Sequence, residues 1–230
     1  SELDAKTNRP AVICHDIYPI LNRPDVLIRS YYKSLLARLR KNADICDAVA
    51  WVLPQAYAEG KEIEGEVLLY RRHPTPAEMK WQAWSAVAHG CTGLILFAWS
   101  YPTPAEFRSG LCTSLKTPTG EDTPAWKAWG EVSGVMAKLA PVLLRLRHTE
   151  EQFASAEAPL ADVHSFIGRD GRGRWLIVVN DDFRSSTRAG LTLTGADEAQ
   201  DVLTGKILRG ESLKSLVLPP GEGILLRLNP

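Results

Sequence analysis

No charge of one sign dominates this sequence: its 230 residues carry 27 Lys and Arg against 27 Asp and Glu. Without a net field, nothing in the composition draws the chain to nucleic acid or to an anionic membrane surface, so neither is expected as a partner. Cysteine is scarce. Cys14, Cys46, Cys91 and Cys112 stand far apart, which argues against the close pairs of a zinc site and the density of a disulfide scaffold. They read as buried or free thiols, and no metal is expected. No apolar run reaches the roughly 18 residues of a membrane helix, and Ser1-Glu2-Leu3-Asp4 cannot open a secretory signal. A cytoplasmic location is the default reading, replaced by a secreted or periplasmic one if a leader preceded this N-terminus. No Gly-rich phosphate loop follows any strand-like run, so the expected ligand is neither phosphorylated nor a nucleotide, and no cofactor is implied. Internal repeats and low-complexity segments are absent as well.

What is present is a change of period along the chain. Ala11-Val12-Ile13-Cys14-His15-Asp16, between Pro10 and Pro19, is a short apolar run with a polar end, as in a buried strand. Ile28, Tyr31, Leu35 and Leu39 follow at helical spacing and predict an amphipathic helix over 28–41. A second strand is predicted over 48–53, leading through Pro54-Gln55-Ala56-Tyr57 into a long polar loop with Gly60 and Gly65. Thr75-Pro76-Ala77-Glu78 combines a capping threonine, a first-turn proline and a glutamate three residues past the cap, so a helix starts there. It ends near His89-Gly90, where the histidine can meet the last carbonyls. Gly93 to Ala98 is apolar on both alternating faces, as in a parallel strand covered on both sides. After a loop over 100–122, Thr123-Pro124 opens a last helix through Leu146.

Beyond His148 the pattern becomes short strand-like runs, at 163–167, 175–180, 191–194, 213–218 and 224–228, separated by turn-forming clusters such as Gly168-Arg169-Asp170-Gly171. Residues 1–150 are therefore expected to form an α/β domain and residues 160–230 a small antiparallel β-sandwich.

Three successive strand–helix units suit either an open sheet or part of a (β/α) barrel. The segments from Arg9-Pro10 through His15-Asp16-Ile17-Tyr18-Pro19, Trp51 through Tyr57, and Pro74-Thr75-Pro76-Ala77-Glu78 through Ala88-His89-Gly90 to Phe97-Ala98-Trp99-Ser100 resemble the last third of glycoside hydrolase barrels. The helix ending at Leu139-Ala140-Pro141-Val142-Leu143 resembles them too. In such proteins a small β-sandwich follows the barrel. The resemblance covers most of the chain and makes its three strands the sixth, seventh and eighth of the barrel. Since a complete barrel takes roughly 200–250 residues, it implies a fragment, a cleavage product or one half of a split protein, whose partner would be the remaining barrel or a second copy of this chain.

Barrel active sites lie at the C-terminal strand ends, here marked by His15, Asp16 and Tyr18, by Gln55 and Tyr57, and by Trp99, Ser100 and Tyr101. Aromatic faces beside hydrogen-bonding groups suit a neutral sugar, with its apolar C–H faces and many hydroxyls. Glycoside hydrolysis usually needs two carboxyl groups, and Asp16 is the one candidate in place. The resemblance implies a nucleophile after the seventh strand, where Gln55 stands, and an amide cannot fill that role. Each residue has a plainer reading beside the functional one: Asp16 could cap the turn that follows it, Gln55 could satisfy loop backbone, and Trp99 could pack the barrel mouth. Two functions therefore remain open. One is an O-glycosyl hydrolase whose other catalytic groups lie outside this chain, leaving the chain inactive alone; the other is a carbohydrate-binding or structural protein without catalysis.

Overall fold

The computed structural model describes residues 10–64, 66–99, 112–113, 115–117 and 119–229. The chain divides into two compact units, Ser1–Met79 with Cys91–Gly130 and Lys80–Gly90 with Glu131–Pro230.

In the first unit, β1 (Val12–Ile17), β2 (Val49–Pro54) and β5 (Gly93–Leu94) form a parallel sheet in the order β1-β2-β5. The adjacent, parallel arrangement is the one expected from three strand–helix units. Its C-terminal edge is level, because Ile17 pairs with Pro54 and Gln55 bridges Phe97. Regular β5 is shorter than the apolar run 93–98, but backbone bonds from Ile95 to Val52 and from Phe97 to Pro54 carry the ladder onward. Trp51 lies opposite Gly93, where a Cβ would stand 2.6 Å from the indole ring, so only glycine lets these strands close up.

Helix α1 runs over Asp25–Cys46, longer than predicted, and its buried stripe is Ile28, Tyr32, Leu36, Leu39 and Ala43. The predicted stripe used Tyr31 and Leu35 instead. The doublets Tyr31-Tyr32 and Leu35-Leu36 fit either face, and packing selects the second member of each, leaving Tyr31 46% exposed. The predicted loop after β2 is a second correction. Residues 58–71 form a hairpin, β3 (Ala58–Ile63) with β4 (Glu66–Arg71), and β6 (Cys112–Thr113) adds to β3. The strand formers of Glu66-Val67-Leu68-Leu69-Tyr70-Arg71 outweigh the glycines that suggested a loop.

Helix α2 (Pro76–Ala88) starts as predicted: Glu78 N–H donates to Thr75 Oγ1 at 3.3 Å and Thr75 N–H donates to Glu78 Oε2 at 2.8 Å. Helix α3 (Pro124–Leu143) is capped by Thr123, whose Oγ1 accepts from Trp126 N–H at 3.3 Å.

The second unit is mainly antiparallel. Strands β7 (Leu146–Thr149), β9 (Ala161–Gly168), β10 (Arg174–Asn180), β13 (Glu198–Asp201), β14 (Ile207–Arg209) and β16 (Gly223–Asn229) make one six-stranded sheet. β8 (Ala154–Ala156) pairs with β12 (Leu191–Leu193), and β11 (Thr187–Arg188) with β15 (Val217–Leu218), adding two two-stranded ribbons to that sheet. The predicted strand 213–218 is a short helix, α4 (Glu211–Lys214), followed by β15. Leu176 and Val178 of the central strand join Phe153, Leu191, Leu208 and Leu226 in its core. The whole is a mixed α/β protein; a closed barrel is not what the described residues form.

Candidate functional site

The level C-terminal edge of the parallel sheet brings together Asp16 and Tyr18, which follow or end β1, and Tyr57, which follows β2. Tyr18 and Tyr57 meet edge to face at 5.1 Å between ring centroids, and Phe97 lies 5.6 Å from the first and 5.5 Å from the second. Quadrupole geometry favours this T-shaped contact and fixes the three rings as one platform. The Asp16 carboxylate acts on the Tyr18 hydroxyl; burial and that negative neighbour push its pKa up to about 12, so the tyrosine keeps its proton. Tyr57 is only 4% exposed, and burial holds its hydroxyl above the ordinary range, so the ring supports the platform from within and the substrate-binding role expected of it finds no open face. Asp16 is 58% exposed, and His15 Nδ1 stands 3.7 Å from its Oδ1.

The hairpin supplies what the sequence reading lacked. Glu59 and Arg71 pair across β3 and β4, with Arg71 Nη1 donating to Glu59 Oε2 at 2.7 Å. The Arg71 guanidinium lies over the Tyr18 ring at 5.7 Å and over the Tyr70 ring at 5.5 Å. Glu59 also acts on both Tyr18 and Tyr57 electrostatically, so a second carboxylate stands beside the platform. Reading 58–71 as a loop hid this, since only hairpin register sets Glu59 opposite Arg71.

Gln55 sits at the same edge but offers nothing to a ligand. It is fully buried, Oε1 accepts from Ile20 N–H at 2.8 Å, and Nε2 donates to the carbonyls of Ile20, Tyr57 and Arg72 at 3.3, 2.9 and 3.1 Å. This is the plainer of the two readings: the amide satisfies loop backbone, and the substrate-binding role expected of it finds no accessible atom. Trp99 is 57% exposed and meets Trp126 edge to face at 4.8 Å, with Lys116 Nζ 4.9 Å from the Trp126 ring centroid. It forms an aromatic pair distinct from the Tyr18 platform. Ser100 and Tyr101 lie outside the described residues.

Glu78 is a structural group, as its capping position implies. It is buried and takes both Arg72 Nη1 and Nη2, at 2.7 and 2.5 Å, while closing the cap of α2. His89 Nδ1 meets Ser85 carbonyl at 2.8 Å, again at a helix end. Among the described residues, no group of three or more His, Cys, Asp or Glu could hold a metal ion, and no helix is long and apolar enough to cross a membrane.

No protein-family model matches the sequence, and no curated protein matches it. Solved structures do. A glycoside hydrolase family 5 protein from Bacteroides vulgatus is 11% identical, with a TM-score of 0.37, covering 83% of this chain and 45% of its own. A protein described as a glycoside hydrolase is 9% identical, with a TM-score of 0.40, covering 86% and 46%. An exo-carrageenase GH42 from Bacteroides ovatus is 14% identical, with a TM-score of 0.24, covering 99% and 23%. The chain thus spans less than half the length of these structures, and the likeness is too low to assign a reaction.

Proposed function

We propose that the edge carrying Asp16, Tyr18, Glu59 and Tyr57 is a saccharide site, and that this chain contributes it to a glycoside hydrolase-like protein acting on O-glycosidic bonds. The observation that carries the reading is that two carboxylates, Asp16 and the Arg71-bound Glu59, both act on Tyr18 of one aromatic platform. Glycoside hydrolysis needs two carboxyl groups about a sugar ring, and the C–H faces of that ring need aromatic surface. Asp16 is the accessible catalytic carboxyl with the Tyr18 phenol as its neighbour, Arg71 holds Glu59 as the second carboxyl, and His15 lines the rim. Phe97, 38% exposed, and the half-buried Tyr18 give the stacking surface, the buried Tyr57 ring backs them, and Trp99 is a separate aromatic contact further along the chain.

A specific observation favours a second reading, carbohydrate binding without turnover: the position at the end of β2 holds Gln55, whose amide is wholly committed to backbone. One experiment separates the two. The 230-residue chain is titrated with oligosaccharides by calorimetry and assayed on a panel of aryl glycosides, beside Asp16→Asn and Glu59→Gln. Turnover that falls by roughly 10²- to 10⁴-fold in either variant while binding persists supports hydrolysis. Binding with no turnover in any form supports the binder. Failure to bind any saccharide removes both.

A further inference from the structure

A groove of about 570 Å³ opens beside the platform and shares Tyr18 and Arg71 with it. Its volume falls in the range of about 300–1,000 Å³ typical of small-ligand sites. Between the start of α1 and the chain around Leu21 it is lined by Tyr31, Arg23, Ser30 and Ser34 as well, and no carboxylate is among its lining residues. We infer that this groove is a subsite for an anionic sugar unit, one bearing a carboxylate or a sulfate, whose charge is received by Arg23 and Arg71. The inference rests on the saccharide reading of the neighbouring edge and adds the class of sugar to it.

Three observations support it. Arg23 is exposed, and its guanidinium is committed to no partner among the described residues. Arg71 is only partly neutralised: Nη1 serves Glu59, whereas Nη2 is committed to no partner among the described residues, so the fork is not saturated by its ion pair. A guanidinium left with unused donors is suited to a planar or tetrahedral oxyanion. The remaining lining matches a sugar rather than a bare ion. Tyr18 and Tyr31 offer rings, and Ser30 and Ser34 donate their hydroxyl protons to the carbonyls of Leu27 and Tyr31, which leaves their oxygens to accept from sugar hydroxyls. Glu59 offsets one of the two positive charges, and the other remains for the ligand. The sequence pointed to a neutral sugar because no phosphate loop is present; the paired arginines appear only when α1 and the hairpin are folded together.

The test uses the full chain and three oligosaccharide probes of equal length, titrated by calorimetry at low and moderate salt: an oligo-uronate, a sulfated oligosaccharide and a neutral one. The expected result is that at least one anionic probe binds roughly tenfold or more tightly than the neutral one, weakens as salt rises, and loses that advantage in Arg23→Gln but keeps most of it in Arg23→Lys. Preference for the uronate or for the sulfated probe identifies the anion. Arg23 is exposed, so the variants keep their fold, checked by circular dichroism. Equal binding of neutral and anionic probes, or an anionic preference unchanged in Arg23→Gln, overturns the inference while leaving the saccharide site standing. Absence of binding by all three overturns both.

Discussion

Gln55 holds both backbone polar groups of Ile20, accepting from its N–H at 2.8 Å and donating to its carbonyl at 3.3 Å. The same amide reaches the carbonyls of Tyr57 and Arg72, so one buried side chain ties three chain segments beneath the platform. Gln55→Ala should cost about 2–4 kcal/mol in urea unfolding, because buried backbone groups are left unpaired. Gln55→Glu should cost more, since a carboxylate would face three carbonyls without a donor. A Gln55→Glu variant as stable as the parent would refute this role.

Glu78 is expected to matter almost as much, although it touches no candidate ligand. Its carboxylate is 1% exposed, neutralises Arg72 and closes the cap of α2. Glu78→Ala should destabilise by about 3–5 kcal/mol because Arg72 loses its buried partner. Glu78→Gln, which keeps an acceptor for the cap, should cost less. Thermal unfolding of both variants checks the order.

The thiols should differ sharply in reactivity. Cys14 is exposed, whereas Cys91 is buried and burial pushes its pKa from about 9 up to about 12. At pH 8 a disulfide reagent should label Cys14 within minutes and Cys91 only after unfolding. The sign of the linkage follows. The folded protein holds the Cys91 proton that the unfolded chain releases near pH 9, so this share of stability is full below pH 9 and is lost as pH rises through 12. Cys91→Ala should therefore flatten the alkaline arm of a stability profile.

Tyr18 offers a direct check on the geometry of the edge. Its phenol should ionise near pH 12 in an ultraviolet titration, against about 10 for an ordinary tyrosine. Asp16→Asn should move that midpoint down part of the way, because burial, the larger cause, remains. An unchanged midpoint in Asp16→Asn would show that the two groups do not interact.

In the second unit, Gly223 lies against the Trp84 indole, where a Cβ would come within 2.5–2.7 Å of ring atoms. Neither partner can move freely, since Trp84 is 2% exposed and Gly223 pairs with Val179. Gly223→Ala should cost about 1–3 kcal/mol through overpacking, measured by denaturant unfolding. Gly171→Ala tests a different cost: its site is open, but its φ is +76°, so backbone strain alone would destabilise it.

Local signals in the sequence determined the elements whose chemistry is short-range. Thr75-Pro76-Ala77-Glu78 and Thr123-Pro124 specify helix starts within four residues, and the apolar runs at 12–17, 49–54 and 93–98 specify parallel strands with a common edge. Asp16, Tyr18 and Tyr57 could be assigned to that edge because strand ends are written in the order of residues. What tertiary structure alone decided is which side of an ambiguous pair faces inward and which distant residues meet. Tyr31 and Tyr32 are equally apolar neighbours, and only the packing of α1 on the sheet buries the second and turns the first toward the groove. Glu59 and Arg71 are twelve residues apart and become partners only through hairpin register. Gln55 could have been ligand or scaffold on its residue type alone, and it became scaffold because three separated backbone segments converge on one amide. Each of these outcomes depends on long-range contact energies summed over the folded chain, which no window of sequence contains.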